Sequence, residues 1–255
     1  VVKLYCDPDG TFPRPPEPLP GALKDLGGTV LETGADIGLA LDPDGDRLAL
    51  VGHDGVPVGE EATLALAARR VLEYAPGPVV ANLSTSRMLD DVSEEAGTFL
   101  IRTPVGEINV AVGMLAADAV IGGEGNGGVI HRDVVMGRDG LTAAALVLSA
   151  LARSGNDLKA LRSAIPEYVM FKHRYGLPGY GVEEFHGRLL ELPSVFPEAA
   201  SDSRDGLRLD WEDRWIHLRP SNTEPIVRLV CEAQTLEKAQ ELVSGFAERL
   251  DLKGE

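Results

Sequence analysis

Cysteine is nearly absent: Cys6 and Cys231 are the two in 255 residues, and neither is spaced with histidine as a zinc site. A disulfide framework is therefore disfavoured, and a reducing cytosol is the expected compartment. Long apolar runs are lacking too. The longest, Leu141 to Ala152, is interrupted by Thr142 and Ser149 and is too short to cross a bilayer, so no membrane span is expected. Basic charge is scarce. With 24 Lys and Arg against 40 Asp and Glu, the formal charge of −16 repels phosphate backbones and argues against nucleic acid as a partner. Any anionic ligand then needs a local cluster of Arg and backbone N–H groups working against that field. An initiating methionine is missing as well. The opening Val1-Val2-Lys3-Leu4-Tyr5 reads as a strand with no signal-peptide layout before it, as expected of a piece of a longer protein.

What is present alternates strand and helix. A Pro-, Gly- and Asp-rich loop from Cys6 to Pro20 leads to a short amphipathic helix near Leu19 to Leu26. Two apolar runs, Ile37 to Leu41 and Leu48 to Val51, flank an acidic turn. A helix over Gly59 to Tyr74 follows, then a strand from Val79, a helix over Ser84 to Ser93, and strands at Phe99 to Ile101 and Asp118 to Ile121. A second long helix carries Leu141, Ala145, Leu148 and Leu151 and is capped by Asp139. After Pro166 the alternation shortens, with strands near 168–174, 207–211, 215–218 and 226–232, a helix over 182–192, and a last helix with Leu236, Ala239, Leu242, Val243, Phe246 and Leu250 on one face. The fold class is α/β: mixed-sheet α/β domains, then a smaller C-terminal α+β domain from about residue 168.

Three loops carry chemistry. In Asp42-Pro43-Asp44-Gly45-Asp46-Arg47, alternate carboxylates converge in a tight turn and repel unless a hard cation neutralises them. The competing reading is a solvated acidic hairpin. Calcium of the EF-hand kind is disfavoured, because the sixth position is Arg47 and the twelfth is His53; three oxygen ligands with room for a phosphate oxygen suit Mg²⁺ better. Gly122-Gly123-Glu124-Gly125-Asn126-Gly127-Gly128 formally contains G-x-G-x-x-G, but the following Val129 to Asp133 is not helical and Glu124 stands where a pyrophosphate would approach. A flexible turn is one alternative. The other is a loop projecting Glu124 and Asn126, a carboxylate beside an amide, toward sugar hydroxyls. In Arg219-Pro220-Ser221-Asn222-Thr223-Glu224-Pro225, with Arg228 beyond it, guanidinium, hydroxyl and turn N–H groups can surround one dianion. An ordinary β-turn is the plainer alternative.

Taken in order, and with Thr103-Pro104-Val105-Gly106 between the first two, these motifs resemble the α-D-phosphohexomutase family of phosphoglucomutases, phosphomannomutases and phosphoglucosamine mutases. The resemblance runs from Asp9-Gly10-Thr11-Phe12-Pro13 to the final helix. It implies that residues 1–56 are the later part of the family's second domain with the metal loop, 57–167 the third domain with the sugar loop, and 168–255 the C-terminal phosphate-binding domain. It further implies Mg²⁺ on Asp42, Asp44 and Asp46, and Arg47 beside the transferring phosphoryl group. Thr103, Gly106, Glu124 and Asn126 would meet the sugar, and Arg219, Ser221, Asn222, Thr223 and Arg228 the distal phosphate. The implied ligands are hexose phosphates of glucose, mannose or glucosamine, interconverted between 1- and 6-phosphates through a phosphoserine and a bisphosphate. That serine belongs to a Ser-His-Asn-Pro motif in the family's first domain, and no such string occurs here, so the missing N-terminal domain is an expected partner. The alternative is a phosphosugar-binding or regulatory protein without a nucleophile. Many relatives have Ser at the position of Asn126 and His at that of Gly128. Glu107, just after Gly106, is a candidate general base by position and reads first as a surface carboxylate, the histidines read as structural or exposed, and no motif bears on subunit number.

Overall fold

The computed structural model describes every residue except Pro8, Asn222, Thr223, Gly254 and Glu255. Two units divide the chain, Val1–Pro166 and Glu167–Glu255. No helix among the described residues is long and apolar enough to cross a membrane.

The first unit begins without regular structure. Val1 to Tyr5, expected as a strand, pairs with nothing, and Tyr5 takes a left-handed φ of 54° while its hydroxyl donates to Asp25 Oδ2 at 2.7 Å. An apolar pentapeptide without a neighbouring ladder has no β-stabilisation to gain. The first helix, α1 (Lys24–Thr33), packs on a two-stranded antiparallel sheet of β1 (Ile37–Leu41) and β2 (Leu48–Gly52), whose register sets Leu41 opposite Leu48 and leaves the acidic turn at one end.

The next helix, α2 (Glu60–Leu72), is buried along nearly its whole length and presses on β2, so its apolar residues run all round rather than in one stripe. A four-stranded sheet follows in the order β4-β3-β5-β6. Its strands are β3 (Val79–Asn82), β4 (Leu100–Thr103), β5 (Ile121–Glu124) and β6 (Gly128–His131). The first three are parallel, and β6 returns antiparallel to β5. Helices α3 (Met88–Glu95) and α4 (Glu107–Ala117) make the crossovers. Helix α5 (Gly140–Ser154) is capped by Asp139, which accepts from Leu141 N at 2.9 Å, and the short α6 (Leu158–Ser163) is capped by Asp157. Asp118, expected to open a strand, instead closes α4 in a left-handed conformation, and the strand starts at Ile121.

The second unit is a five-stranded antiparallel sheet in the order β7-β11-β10-β9-β8, made of β7 (Val169–Gly176), β8 (Ala200–Asp202), β9 (Leu207–Asp210), β10 (Arg214–Pro220) and β11 (Ile226–Ala233). Helices α7 (Gly181–Val195) and α8 (Leu236–Arg249) cover one face. Phe185, Leu189, Leu242 and Phe246 pack there against Leu209, Ile216, Leu218, Val227 and Leu229. Strand alternation therefore sends Arg208, Trp215, His217 and Glu232 to the other face, where each is buried.

Candidate functional site

The β1–β2 turn gathers carboxylates because the chain reverses in six residues. Gly45 N donates to Asp42 O at 3.1 Å, and Arg47 N donates to Asp42 Oδ1 at 3.0 Å. Carboxylate oxygens of Asp42, Asp44 and Asp46 consequently lie within 4.8 Å of one another. Burial pushes the Asp46 carboxyl up to about 6; a hydrogen bond shared with Asp42 adds to the rise, and the Arg138 guanidinium opposes it. Asp46 Oδ1 is buried and no donor reaches it. Beside it, Arg47 Nε stands 3.5 Å from Asp42 Oδ2 and 3.7 Å from Asp46 Oδ1. A hard divalent cation would relieve both the crowding and the orphaned oxygen, so this oxygen-only donor set fits Mg²⁺.

The glycine loop is fastened to the start of β2, and the start of α5 to the acidic turn, by backbone. Leu48 N donates to Gly127 O at 3.0 Å, and Gly140 N donates to Gly45 O at 2.9 Å. Gly127 is required by its backbone, and Gly125 leaves room for the Glu61 carboxylate. Gly127 has φ +88°, and a Cβ on it would stand 2.4 Å from Leu48 O; a Cβ on Gly125 would stand 1.9 Å from Glu61 Oε2. Asn126 Oδ1 accepts from Gly128 N at 3.2 Å, so the side chain stiffens its own turn.

Glu124, at the end of β5, is 5% exposed and held on both oxygens. Oε1 accepts from Asn82 Nδ2 at 2.7 Å and from Gly106 N at 3.1 Å, while Oε2 accepts from Arg138 Nη1 at 2.6 Å. Thr103, at the end of β4, is buried, its hydroxyl donating to Pro104 O at 3.1 Å. Gly106 opens α4. Asp42, Asp44, Asp46, Arg47, Thr103, Gly106, Glu124 and Asn126 thus belong to one unit, and hydrogen bonds or ion pairs link the acidic turn to the Glu124 loop.

Arg138 makes the link and was not foreseen from sequence. Its guanidinium pairs with Asp46 Oδ2 and Glu124 Oε2, and its Nε is 3.5 Å from Glu107 Oε2. Its backbone N–H donates to Glu107 Oε1 at 2.7 Å. Glu107, read as a surface carboxylate, is therefore tied to the site at 38% exposure. Asn82 and Glu61 were also missed; Glu61 accepts from Ser86 N at 2.9 Å under the glycine loop. Arg138 and Asn82 belong to no motif, and Glu61 reads with Glu60 as acidic residues suited to the N-terminus of α2, so no spacing announces a role in the site. His131 is structural, as read: it is buried, with Nε2 3.1 Å from Tyr74 Oη.

The second unit carries the basic loop. Arg219, next to last in β10, is in register with Arg228 on β11, and Ser221 N donates to Ile226 O at 2.8 Å to close the turn. Arg219 Nη1 is 3.9 Å from Asp205, and Arg228 Nη2 is 3.4 Å from Glu224. Asn222 and Thr223 lie outside the described residues.

Comparison with known proteins divides the chain into three stretches, two of them in the first unit but for the last two residues of the second stretch. Residues 1–55 match the α/β/α domain II of phosphoglucomutase/phosphomannomutase, 60–168 match domain III, and 188–249 match the C-terminal domain. The chain is 39% identical over 253 residues to a probable phosphoglucosamine mutase of Methanopyrus kandleri, covering 97% of this chain and 55% of that protein. It is 37% identical over 243 residues to a phosphoglucomutase/phosphomannomutase of Thermococcus kodakarensis, covering 94% and 53%. Among solved structures, a phosphoglucomutase/phosphomannomutase family protein from Burkholderia thailandensis superposes with a TM-score of 0.86 at 30% identity, over 98% of this chain and 54% of that one. The chain spans about half the length of the relatives it matches.

Proposed function

The chain belongs to the phosphoglucomutase/phosphomannomutase family, and we propose that it is the cation-, sugar- and phosphate-binding part of a magnesium-dependent phosphohexomutase. The complete protein would interconvert hexose 1-phosphates and 6-phosphates through a phosphoserine supplied by a domain outside this sequence. The observation that carries this reading is the convergence in one unit of the acidic turn with the Glu124 loop, joined through Arg138.

Asp42, Asp44 and Asp46 would hold Mg²⁺, which neutralises charge on a phosphoryl group in transit. Arg47, anchored by its own turn, places a second positive charge beside that group. Phosphoryl transfer asks mainly for alignment and charge neutralisation, and these residues offer both without covalent participation. Glu124 keeps about one lone-pair site, on Oε2, for a hydroxyl after its three hydrogen bonds, and its orientation is fixed before a sugar arrives. Asn126 stands next to it as the amide partner for a neighbouring hydroxyl. Arg219, Ser221, Asn222, Thr223 and Arg228 would grip the phosphate that is not being transferred. Glucose, mannose and glucosamine phosphates are the candidate substrates.

Assay of the complete protein with glucose, mannose and glucosamine 1-phosphates tests the reading. Conversion to the 6-phosphate is expected with Mg²⁺, and chelation should abolish it. Asp44→Asn should weaken Mg²⁺ binding by more than about tenfold, which is about 1.4 kcal/mol. Absence of conversion on all three sugars, or unchanged Mg²⁺ titration in Asp44→Asn, overturns the proposal.

A further inference from the structure

The face of the second sheet turned away from α7 and α8 carries a feature that the phosphate loop does not account for. Antiparallel register sets Arg219 directly opposite Arg228, and Arg228 directly opposite Arg174 on β7. Directly opposed residues share a face, so three arginines form one row across β10, β11 and β7. Their neighbours Leu218, Val227, Leu229 and Tyr175 are in the core under α7 and α8, which puts the row on the face away from the helices.

Like charges directly opposite one another on a sheet are destabilising, and guanidinium groups cannot escape by losing a proton. Among the described residues their acidic company is loose. Asp205 stands 3.9 Å from Arg219, and Glu224 stands 3.4 Å from Arg228. Arg174 is exposed and has no ion pair or side-chain hydrogen bond among the described residues. In a chain of net charge −16, acidic residues are plentiful, so a row of three cations with an exposed outermost member is a local positive patch suited to an anion.

We infer that Arg174 is a phosphate-binding residue, the third guanidinium of a cross-strand row that takes the dianion of a hexose phosphate together with Arg219 and Arg228. A phosphate monoester fits because its three terminal oxygens can accept from several forked donors at once, where a carboxylate has two. Arg174 lies two strands from Arg219, so the row extends recognition from the β10–β11 loop along the sheet. This inference rests on the loop's assignment to phosphate in the proposed function.

The test is calorimetric titration of glucose 6-phosphate into the 255-residue chain in low-salt chloride buffer, comparing the unchanged protein with Arg174→Gln, Arg219→Gln and Lys172→Gln. Lys172 shares strand and face with Arg174 but is one row away, opposite Val230. Arg174→Gln should weaken binding about fivefold or more, Arg219→Gln at least as much, and Lys172→Gln less than about twofold. Thermal unfolding supplies a second readout. Without ligand, Arg174→Gln should melt above the unchanged protein because repulsion in the row is relieved, and with saturating glucose 6-phosphate the order should reverse. An affinity in Arg174→Gln within twofold of the unchanged protein, or an equal loss in Lys172→Gln, overturns the role of Arg174 and leaves the loop's assignment standing. Failure of the unchanged protein to bind, or an unaltered Arg219→Gln, removes that assignment and this inference with it.

Discussion

Arg138 shows how one side chain can settle the geometry of two loops. The chain must keep Asp46 and Glu124 close while both are largely withdrawn from water, at 17% and 7% side-chain exposure. Their repulsion is offset only by a charge placed between them. Pairing through Asp46 Oδ2 leaves Oδ1 without a hydrogen bond among the described residues, a lone pair that a cation can take. Removing the guanidinium while keeping a similar volume strands two carboxylates, and breaking a buried pair in this way costs about 3 kcal/mol. Arg138→Met is therefore expected to lower the stability of the first unit by about that amount in urea denaturation followed by circular dichroism. Mg²⁺ should recover part of the loss, because a second cation then neutralises Asp46. A variant as stable as the parent would mean that the bridge is an incidental surface pair.

At the scale of strands and helices, the second sheet keeps a titratable group where water cannot reach it. His217 on β10 is 1% exposed, with Nε2 2.6 Å from Asp205 O. Burial lowers it to about 4, a fall that the hydrogen bond to Asp205 opposes. Since the folded value lies below the unfolded one, the unfolded chain takes up the proton first as pH falls. Stability is thus fully present above about 6.5 and is lost between there and about 4, by up to about 3 kcal/mol. Both tryptophans, Trp211 and Trp215, are in this unit, so the urea midpoint of tryptophan fluorescence should fall across that window. The decline should be shallower in His217→Gln; an equal decline would assign it to other groups.

Elements with one clear apolar face were legible in the sequence. The final helix is the example: Leu242, Phe246 and Leu250 enter the core at helical spacing. Helix α4 was not, because Ile108, Val112 and Leu115 are 70%, 57% and 69% exposed, and apolar residues on the outer face erase the periodicity that marks an amphipathic helix. Strand β5 was placed three residues early because Gly122 and Gly123 have little strand propensity, whereas the run before them does. Convergence of Asp42, Asp44 and Asp46 followed from alternation in a tight turn, a local property. The bridge from Arg138 to Asp46 spans 92 positions, counted as 138 less 46, and no local pattern can encode such a contact.

For the whole molecule, the decisive fact is that each unit has its own core. Val80, Val110, Met114 and Ile130 form one cluster in the first unit, and Leu23, Val30 and Val51 form another; the second unit is centred on Phe185, Leu229 and Phe246. Units with separate cores can open separately, and a ligand stabilises the unit that binds it by mass action. The acidic turn is in the first unit, and the two tryptophans are in the second. Added Mg²⁺ at a hundred times its dissociation constant should stabilise the first unit by about 2.7 kcal/mol. The tryptophan fluorescence transition should stay where it was. Two-probe denaturation distinguishes the possibilities, with far-ultraviolet circular dichroism reading both units and tryptophan fluorescence reading the second. The expected result is that the two midpoints separate as Mg²⁺ is added and that Asp44→Asn abolishes the separation. If both probes moved together, the units would unfold as one cooperative body, and magnesium binding in the first would be felt in the second.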